Sequence, residues 1–398
     1  MNGPAVTGPF GLSTALAERE QAGLLRNRIA TDGASGGRLR VAGREYLNFS
    51  ANDYLGLADH PAIKTAFNAG IERYGTGSGA SPLVTGYSRA HQQLEETLAE
   101  WLGVEAVLLF NCGYSANQAV LKALLGKEHL LWQDKLNHAS LQEMGSQLPC
   151  KMKRFAHNDM AALERQLEPN RGLIVSEGVF SMDGDQAPWG ELATLAARSG
   201  NWLMIDDAHG LGVLGSEGRG TLAAQGVPPA SVHIQMGTFG KALGVAGAFV
   251  GGSRELVEYL VNFARHYVYS THMPAAQACA VSKSIELVRA ADKSRAHLGQ
   301  LIARFRQGAK DQGWQLGASN TPIQPLLVGE SSVALQLAER LRECGVWVSA
   351  IRPPTVPVGT ARLRITLSAA HREQDVDRLL DALGVCPAVT TLGEAHHD

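Results

Sequence analysis

Residues 232–252 read VHIQMGTFGKALGVAGAFVGG, and the stretch opens with an apolar run, Val232–Met236, that is short enough to be a strand. Helix-like stretches separate this run from similar ones earlier in the chain: Ala106–Phe110, Leu173–Val175 and Trp202–Ile205. Short apolar runs of this kind are typical of parallel strands that are covered by helices on both faces. The sequence therefore predicts an α/β core built on a mainly parallel sheet.

The chain before this core is predicted to hold two helices and a loop. Leu12–Arg28 mixes leucines with charged residues, which favours an amphipathic helix capped by Ser13. Gly75–Gly86 is too rich in Gly and Ser for the interior of a helix or strand, which indicates a loop. Arg89–Leu102 has apolar residues at helical spacing, and Gly103 is predicted to end that helix.

The pattern changes after the core. A long helical region precedes short alternating elements: helix from about Gln277 to Gln307, strand Gln324–Val328, a helix ending at Gly345, strand Val346–Ile351, and Arg362–Ser368 (RLRITLS) before a last helix. This alternation predicts a smaller C-terminal α+β domain. The expected division is an N-terminal helical segment and arm at 1–60, a large α/β domain at 61–285 and the small domain at 286–398.

Composition narrows the possible functions before any motif is considered. The 398 residues contain 36 Lys and Arg against 38 Asp and Glu, so the basic excess that nucleic-acid binding requires is absent. No apolar run approaches the roughly 18 residues of a membrane span, and the first residues lack the pattern of a signal peptide. Five cysteines without a CxxC pair argue against disulfides and zinc: Cys112, Cys150, Cys279, Cys344 and Cys386. We expect a cytoplasmic protein with small-molecule partners and no metal.

Ligands of parallel sheets collect at the carboxyl ends of the strands, so the residues after each apolar run are candidates for chemistry. The segment Asn111–Tyr114 joins a strand to a helix, which places free backbone N–H groups where a phosphate can bind. Seen alone, such a turn containing Gly113 is more often a plain connection. Glu177 follows the second run, and Ser181 lies four residues later.

Two further strand ends carry polar residues. Asp206 follows the third run and begins a segment that includes His209, so both side chains are able to face a bound ring. Alternatively, Asp206 caps a turn and His209 is a structural hydrogen-bond partner. Lys241 follows the fourth run in a stretch rich in Gly and Ala, with no acidic residue nearby in the sequence. Lysines are almost always exposed on polar faces, and burial lowers the pKa of a lysine, as Schiff-base lysines require.

Rival motifs fail on spacing. A phosphate-binding P-loop requires Gly where Gln235 stands and Ser or Thr where Ala242 stands. The Gly-rich segment Gly75–Ala80 is only a distorted dinucleotide fingerprint. The sequence contains neither an HExxH zinc helix nor a GxSxG nucleophile elbow.

The run Thr238–Gly247 resembles the attachment signature for pyridoxal 5'-phosphate (PLP) in class II aminotransferase-like enzymes. Further segments resemble the α-oxoamine synthases, in order and at the expected spacing: NFSANDYLGL at Asn48–Leu57, HQQLEETLAEWLG at His91–Gly103, SEGVFSMDGD at Ser176–Asp185 and DDAHGLG at Asp206–Gly212. The resemblance extends from about Leu16 to Leu383. It implies the fold type I of PLP-dependent transferases, and an activity that joins an amino acid to an acyl thioester with loss of carbon dioxide.

The resemblance also implies a role for each candidate site residue. Lys241 matches the lysine that holds PLP as a Schiff base, and Asp206 matches the carboxylate that pairs with the pyridinium nitrogen. His209 matches the contact to the phenolate oxygen, and His138 matches the imidazole stacked on the ring. These four are the expected catalytic residues. Other implied cofactor contacts are Cys112, Gly113, Tyr114, Glu177, Ser181, Thr238, Ser270 and Thr271.

Ser270 and Thr271 resemble residues that reach the phosphate across the interface of a homodimer with shared active sites. The expected substrate contacts are Arg26, Asn52, His138, Thr355 and Arg364, of which Arg364 matches the arginine that takes the amino-acid carboxylate.

Segment Ala350–His371 most resembles the family member that joins L-alanine to a pimeloyl thioester, whose carrier is CoA or an acyl-carrier protein. Arg26 and Arg352 are candidates to bind the distal carboxylate of the pimeloyl group. Two alternatives remain open at this stage. One is a sister synthase, such as glycine C-acetyltransferase, and the other is a non-catalytic scaffold subunit, which has no reason to retain Lys241 together with Asp206.

Overall fold

The computed structural model describes residues 10–33 and 36–385. Its first helix, α1 (Leu12–Gln21), ends earlier than expected, and the predicted cap at Ser13 is wrong. Gly11 precedes the helix in a left-handed conformation, and no side chain caps the helix. None of the residues in α1 is buried, so this helix adds nothing to the hydrophobic core of the described chain.

A hairpin that the sequence analysis missed follows α1. Its strands, β1 (Arg38–Val41) and β2 (Arg44–Asn48), pair antiparallel. Ala42 and Gly43 join them, and both have positive φ angles. This is the backbone geometry that matches the twist of two strands joined by a two-residue turn. The region expected to be a helical arm therefore also contains a small piece of sheet.

The central sheet has seven strands, which run along the chain as β3 (Ala106–Phe110), β4 (Leu130–Asp134), β5 (Lys151–Phe155), β6 (Gly172–Glu177), β7 (Trp202–Asp206), β8 (Ile234–Thr238) and β9 (Ala248–Gly252). Their order across the sheet is β3-β9-β8-β7-β6-β4-β5. Strand β9 runs antiparallel to both of its neighbours, and the remaining pairs are parallel. The predicted, mainly parallel sheet is confirmed.

Helices cover both faces of this sheet. Leu173 and Val175 point to one face, where they pack with α4 (Gly113–Leu124), α5 (Ala139–Gln147), α9 (Arg254–Phe263) and α10 (Arg265–Val268). Ile174 points to the other, where it packs with α6 (Met160–Gln166), α7 (Trp189–Ser199) and α8 (Thr221–Ala224). Side chains on both faces of the strand are buried, so Leu173, Ile174 and Val175 are all apolar. This is why the sequence shows a continuous apolar run.

A third hydrophobic cluster contains four more helices: α2 (Pro61–Tyr74), α3 (Arg89–Leu102), α11 (Ala275–Arg289) and α12 (Asp292–Asp311). The predicted bounds of α3 are those observed, and Gly103 ends it in a left-handed conformation. The long helix expected after Gln277 is two helices, α11 and α12. The loop expected before α3 contains a single π-helical turn, Pro82–Gly86.

The C-terminal elements are β10 (Ile323–Gly329), α13 (Ser331–Glu343), β11 (Val346–Trp347), β12 (Ser349–Ile351), β13 (Ala361–Thr366) and α14 (Glu373–Gly384). Strands β10, β13 and β12 form one antiparallel sheet. Strand β11 instead pairs in parallel with β2, so the strand expected at 346–351 is divided between two sheets. Ile285 and Leu326 belong to the same apolar cluster, and the division into domains at 285 stays a prediction.

Helices α2 and α11 pack closely at Gly70. A Cβ atom placed on Gly70 would lie 2.7 Å from Cα and 3.1 Å from Cβ of Ala276. The neighbour is backbone, which cannot move aside as a flexible side chain can. Gly299 in α12 is a matched contrast, because a Cβ atom placed there meets nothing within 4 Å.

We predict that Gly70→Ala destabilises the protein although Ala favours helix. Overpacking costs about 1–3 kcal/mol, which exceeds the gain of roughly 1 kcal/mol in helix propensity. Gly299→Ala gains helix propensity and has no cost from overpacking. Thermal unfolding of the two variants should therefore show a lower midpoint for Gly70→Ala and an unchanged or higher midpoint for Gly299→Ala. A midpoint for Gly70→Ala at or above that of Gly299→Ala would show that the α2–α11 contact is not tight.

Candidate active site

The carboxyl ends of β6, β7 and β8 bring the predicted site residues together. Glu177 and Asp206 end adjacent parallel strands and are partners in the register of the sheet. Both side chains are almost fully buried. Lys241 follows β8 by three residues and its amine lies among groups from all three strand ends. The apolar surroundings of Lys241 in the sequence thus become a charged site in the fold.

A chain of hydrogen bonds begins at the Lys241 amine. Its Nζ lies 2.7 Å from Nε2 of His209, and Nδ1 of His209 lies 2.6 Å from the hydroxyl oxygen of Tyr54. Tyr54 is fully buried, and its hydroxyl lies 3.3 Å from Oδ1 of Asn52. Burial, assisted by the positive charges of Lys241 and Arg364, holds the pKa of His209 well below its usual value. The imidazole of His209 is therefore neutral.

The far end of this chain is Arg364 on β13. Its Nη1 donates to Oδ1 of Asn52 at 3.1 Å and to Oγ1 of Thr366 at 3.1 Å. Its Nε donates to the carbonyl oxygen of Ser181 at 2.7 Å. The predicted substrate residues Asn52 and Arg364 therefore contact one another, and Ser181 supports the arginine through its backbone.

A second chain joins Asp206 to His138. Nδ2 of Asn117 donates to Oδ2 of Asp206 at 2.8 Å and to Oγ of Ser140 at 2.9 Å. The backbone N–H of Ser140 donates to Nδ1 of His138 at 3.2 Å, and the Ser140 hydroxyl lies 2.8 Å from the same nitrogen. Because Nδ1 of His138 accepts these bonds, the hydrogen of the neutral ring is on Nε2.

Glu177 is the least satisfied of the buried acids at this site. Its Oε1 has no hydrogen-bond partner in the described residues. Burial, together with the negative charge of Asp206, raises the pKa of Glu177 well above its usual value. Burial and a neighbouring negative charge both favour the protonated form of such a carboxyl group.

The predicted phosphate cradle lies at the start of α4. The first bond within this helix runs from the N–H of Ala116 to the carbonyl of Cys112, so the three preceding N–H groups, from Gly113 onwards, are free of intrahelical partners. Cys112 and Tyr114 are exposed, and the ring of Tyr114 lies edge-on to that of His138 with centroids 6.2 Å apart. Free N–H groups at the positive end of a helix suit an anion.

Thr238 borders the same cradle, but its hydroxyl is already engaged. It donates to the carbonyl of Gly247 at 2.8 Å and accepts from the N–H of Gly240 at 3.3 Å. A methyl group on Gly113 would lie 3.9 Å from Cβ of Thr238. Thr238 therefore shapes the loop that carries Lys241, whatever else it contacts.

Ser270 and Thr271 lie beside the cradle of their own chain. Nδ2 of Asn111 donates to the carbonyl oxygen of Thr271 at 2.8 Å, and Thr271 is exposed while Ser270 is half-buried. Their expected role across a dimer interface stays a prediction.

Arg26 and Thr355 contact one another away from these chains. Nη2 of Arg26 donates to Oγ1 of Thr355 at 2.9 Å, and both residues are exposed. Arg352 donates to the backbone carbonyl of Gly23, in the same N-terminal segment. No hydrogen bond within residues 10–33 and 36–385 links this group to Lys241. The predicted substrate residues thus fall into an inner set and an outer set.

Sequence reasoning missed Tyr54, Asn117 and Ser140. Each is buried, and each is polar in an otherwise apolar or helical context. Asn117 lies one turn into α4 from Gly113, so its position on the helix that begins with the cradle was an available signal. Ser140 lies two residues from His138, at the start of the helix that His138 caps. Tyr54 lies far in sequence from His209, and no spacing rule indicates it.

His157 was also missed. Its Nδ1 lies 3.0 Å from Oδ1 of Asp134, and its Nε2 lies 2.7 Å from Oδ2 of Asp185. Although burial lowers it, the hydrogen bonds to the two carboxylates raise the pKa of His157 to about 10. The resulting imidazolium bridges the loop after β4, which carries His138, and the turn after β6, which carries Ser181.

This arrangement suits a ligand with a carbonyl group, a cationic ring nitrogen and a phosphate. The Lys241 amine is a nucleophile for the carbonyl, Asp206 is a buried carboxylate for the cation, and the start of α4 offers N–H groups to the phosphate. In the part of the chain that the structure describes, no cluster of side chains is arranged to hold a metal ion. None of the described helices is long and apolar enough to cross a membrane.

The model for the family "Aminotransferase class I and II" matches residues 44–383. The chain therefore belongs to this family, whose core fold it shares. Within the family it groups with proteins named 8-amino-7-oxononanoate synthase. The protein of that name from Aeromonas hydrophila subsp. hydrophila is 88% identical over 396 residues, with 100% of each chain covered.

Solved structures agree with this grouping. A serine palmitoyltransferase from S. paucimobilis with bound PLP–myriocin aldimine superposes with a TM-score of 0.89 at 25% identity, and the match covers 96% of this chain and 98% of that one. An 8-amino-7-oxononanoate synthase from Francisella tularensis superposes with a TM-score of 0.76 at 27% identity, covering 85% and 97%.

The charges around Lys241 lead to a testable titration. Burial lowers the pKa of Lys241 to about 8, against the negative charges of Asp206 and Glu177, which raise it. In the PLP-free, full-length protein, trace labelling with acetic anhydride should become faster at Lys241 as the pH rises through about 8, because only the neutral amine reacts. Peptide mass spectrometry measures this rate at each pH.

Asp206→Asn removes a negative charge that favours the ammonium form, so it should move the midpoint for Lys241 further down. Asp292→Asn is the matched control, because the Asp292 side chain is 80% exposed and should leave the midpoint unchanged. A midpoint for Lys241 near that of a free lysine, or no downward shift in Asp206→Asn, would contradict the observed geometry.

Proposed function

We propose that this chain is a PLP-dependent 8-amino-7-oxononanoate synthase. The reaction joins L-alanine to a pimeloyl thioester, carried by CoA or an acyl-carrier protein, and gives 8-amino-7-oxononanoate, carbon dioxide and the free thiol carrier, as a step of biotin biosynthesis. The observation that carries this proposal is the hydrogen bond between Lys241 and the buried His209, beside the buried Asp206, in a chain 88% identical to a protein of that name.

The residues present fit PLP. Lys241 would hold the cofactor, Asp206 would pair with its ring nitrogen, and His138 would stack on the ring with His209 at the phenolate oxygen. The unpartnered Oε1 of Glu177 is a buried polar atom that a polar ligand would satisfy. Bound PLP supplies an electron sink that stabilises a carbanion at the α-carbon of the amino acid.

The phosphate of PLP would lie at the cradle of Cys112, Gly113 and Tyr114, bordered by Thr238 and Ser181. The free N–H groups at the start of α4 support this placement. The hydroxyl of Thr238 donates its single hydrogen to the carbonyl of Gly247, so binding phosphate would require that hydrogen to turn from the carbonyl to a phosphate oxygen.

The protein's own groups supply the proton transfers and the orientation. The Lys241 amine, whose pKa burial lowers to about 8, would take a proton from the α-carbon of alanine and return one to the product. Arg364 would bind the carboxylate of alanine through Nη2, because its Nε and Nη1 already donate to other groups, and Asn52 holds Arg364 in place. His157 and its two carboxylates fix the loops on which His138 and Ser181 stand.

We further propose a homodimer in which Ser270 and Thr271 of one subunit complete the phosphate site of the other. The family resemblance of this segment supports this interface, as does its accessibility, since Tyr269 is 72% exposed in the single chain and Thr271 is exposed as well. A cytoplasmic location is proposed as well, since the cysteines of the described residues are all free thiols and Cys386 lies outside those residues.

The outer residues would select the acyl donor. Arg26 is held by Thr355 and, with no acidic partner in the described chain, is available to the distal carboxylate of a pimeloyl group. Arg352, which bonds the Gly23 carbonyl, would instead fix the N-terminal segment that carries Arg26. The donor also offers several methylenes to bury, each worth about 0.8 kcal/mol.

We predict that the enzyme loaded with PLP makes 8-amino-7-oxononanoate from L-alanine and pimeloyl-CoA far faster than it makes 2-amino-3-ketobutyrate from glycine and acetyl-CoA. Mass spectrometry of the four combinations of amino acid and thioester measures this preference. Equal turnover of glycine with acetyl-CoA would favour a sister synthase instead. Absence of any condensation product, with PLP bound at Lys241, would favour the scaffold subunit.

Arg26→Ala should raise the KM for the pimeloyl donor by roughly tenfold to a hundredfold, which corresponds to a charged hydrogen bond of about 1.5–3 kcal/mol. The KM for L-alanine should not change, because Arg364 rather than Arg26 binds that substrate. Arg28→Ala is the matched control, since Arg28 is also an exposed arginine of the same segment. An equal effect of both substitutions would show a general charge effect rather than a specific contact.

A further inference from the structure

Tyr54 occupies a position for which neither the sequence nor the family resemblance assigned a role. It lies between the inner substrate residues and the histidine that contacts Lys241, and its side chain is fully buried. Its hydroxyl has three polar neighbours: Nδ1 of His209 at 2.6 Å, Oδ1 of Asn52 at 3.3 Å, and the guanidinium of Arg364. A hydroxyl has only one hydrogen, so these neighbours decide where that hydrogen points.

The direction follows from the chemistry of the neighbours. Arginine has donors and no acceptor, so Arg364, which donates to Oδ1 of Asn52, cannot accept the hydrogen of Tyr54. The hydrogen of Tyr54 then has two possible acceptors. The distance to Asn52 is longer than the range of about 2.5–3.0 Å usual for O–H···O bonds, whereas the distance to His209 fits an O–H donor and is too short for the usual N–H···O bond.

We infer that Tyr54 is a positioning residue that donates its hydrogen to Nδ1 of His209 and thereby places the hydrogen of that imidazole on Nε2, facing the Lys241 amine. The inference rests on the proposed function only for the importance of Lys241. Nε2 lies 2.7 Å from Nζ of Lys241. An N–H group there stabilises the neutral amine, which accepts the bond, and opposes the ammonium form, which has no acceptor.

The neighbourhood of Lys241 contains other charges that must be separated from this effect. Asp206, Glu177 and Asp207 favour the ammonium form, and Arg364 opposes it. Removal of the Tyr54 hydroxyl leaves all of these groups in place. It frees His209 to accept a bond from the ammonium, and such a charge-assisted bond is stronger than the neutral one that it replaces. The pKa of Lys241 should therefore rise when the hydroxyl is lost.

The first test uses the unaltered, full-length protein. Nitrogen-15 NMR of histidine-labelled, PLP-free protein distinguishes a nitrogen that carries hydrogen from one that does not, and the His209 signals are identified by their loss in His209→Gln. We expect the hydrogen on Nε2 at a pH above 8, where the Lys241 amine is neutral. A hydrogen on Nδ1 at that pH would overturn the inference without any substitution at Tyr54.

The second test uses Tyr54→Phe, which removes one oxygen atom. Trace labelling of Lys241 with acetic anhydride should show a midpoint about one pH unit higher than in the unaltered protein, and thus roughly tenfold slower labelling near neutral pH. Tyr46→Phe is the matched control, because Tyr46 is also buried but lies in the peripheral hairpin. The labelling midpoint of Lys241 should not move in this variant. An unchanged or lowered midpoint in folded Tyr54→Phe would overturn the inference.

Neither measurement depends on the substrates. If Tyr54→Phe raises the Lys241 midpoint but the unaltered protein forms no 8-amino-7-oxononanoate, the proposed function alone is refuted. If the unaltered protein forms this product but Tyr54→Phe leaves the Lys241 midpoint unchanged, the role of Tyr54 alone is refuted. If Tyr54→Phe does not fold, the position of the His209 hydrogen in the unaltered protein decides the question.

Discussion

The site depends on the desolvation of one amine. Burial lowers the pKa of Lys241, and the negative charges of Asp206 and Glu177 oppose this by favouring the ammonium form. The balance leaves a lysine whose pKa is about 8, so that its amine is able to act both as a nucleophile and as a proton carrier. The sheet makes this balance possible because its carboxyl edge places β6, β7 and β8 side by side. Three groups far apart in sequence thereby share one small volume of low dielectric.

Two polar chains hold the remaining groups in fixed orientations around that amine. One runs from Arg364 through Asn52 and Tyr54, and the other runs from Asp206 through Asn117 to Ser140. Every member that is buried has a partner on another element, so each orientation is set by tertiary structure. The imidazolium of His157 acts at a larger scale, since it joins two whole loops through paired charges that are shielded from water. Removing one partner of a buried ion pair destabilises a protein by more than the intact pair stabilises it. Separating either loop from His157 is therefore costly, and both loops remain at one spacing.

The parts that sequence predicted are those governed by local patterns. The apolar run Ala106–Phe110 and the helix Arg89–Leu102 have the predicted bounds, because burial and capping act over a few residues. Patterns failed where the partner is distant. The run Val346–Ile351 is uniform in sequence, yet β2 takes its first part and β13 its last. Lys241 was predicted from its unusual surroundings in the sequence. Tyr54 is indistinguishable in sequence from any core tyrosine, and only its contact with His209 in the fold indicates a role.

The inner and outer residues differ in a way that explains why fold and chemistry were easier to infer than the substrate. Lys241, Asp206 and His209 stand on strand ends of a sheet that is retained in structures of about 25% identity, since moving any of them requires moving a strand. Arg26 and Thr355 stand on exposed segments that meet through two hydrogen bonds, one between these residues and one from Arg352 to the carbonyl of Gly23. A segment held by so few contacts can change without cost to the core. The proposed site of acyl-donor selection therefore lies where the structure constrains the sequence least, and relatives of 88% identity are informative there while distant folds are not.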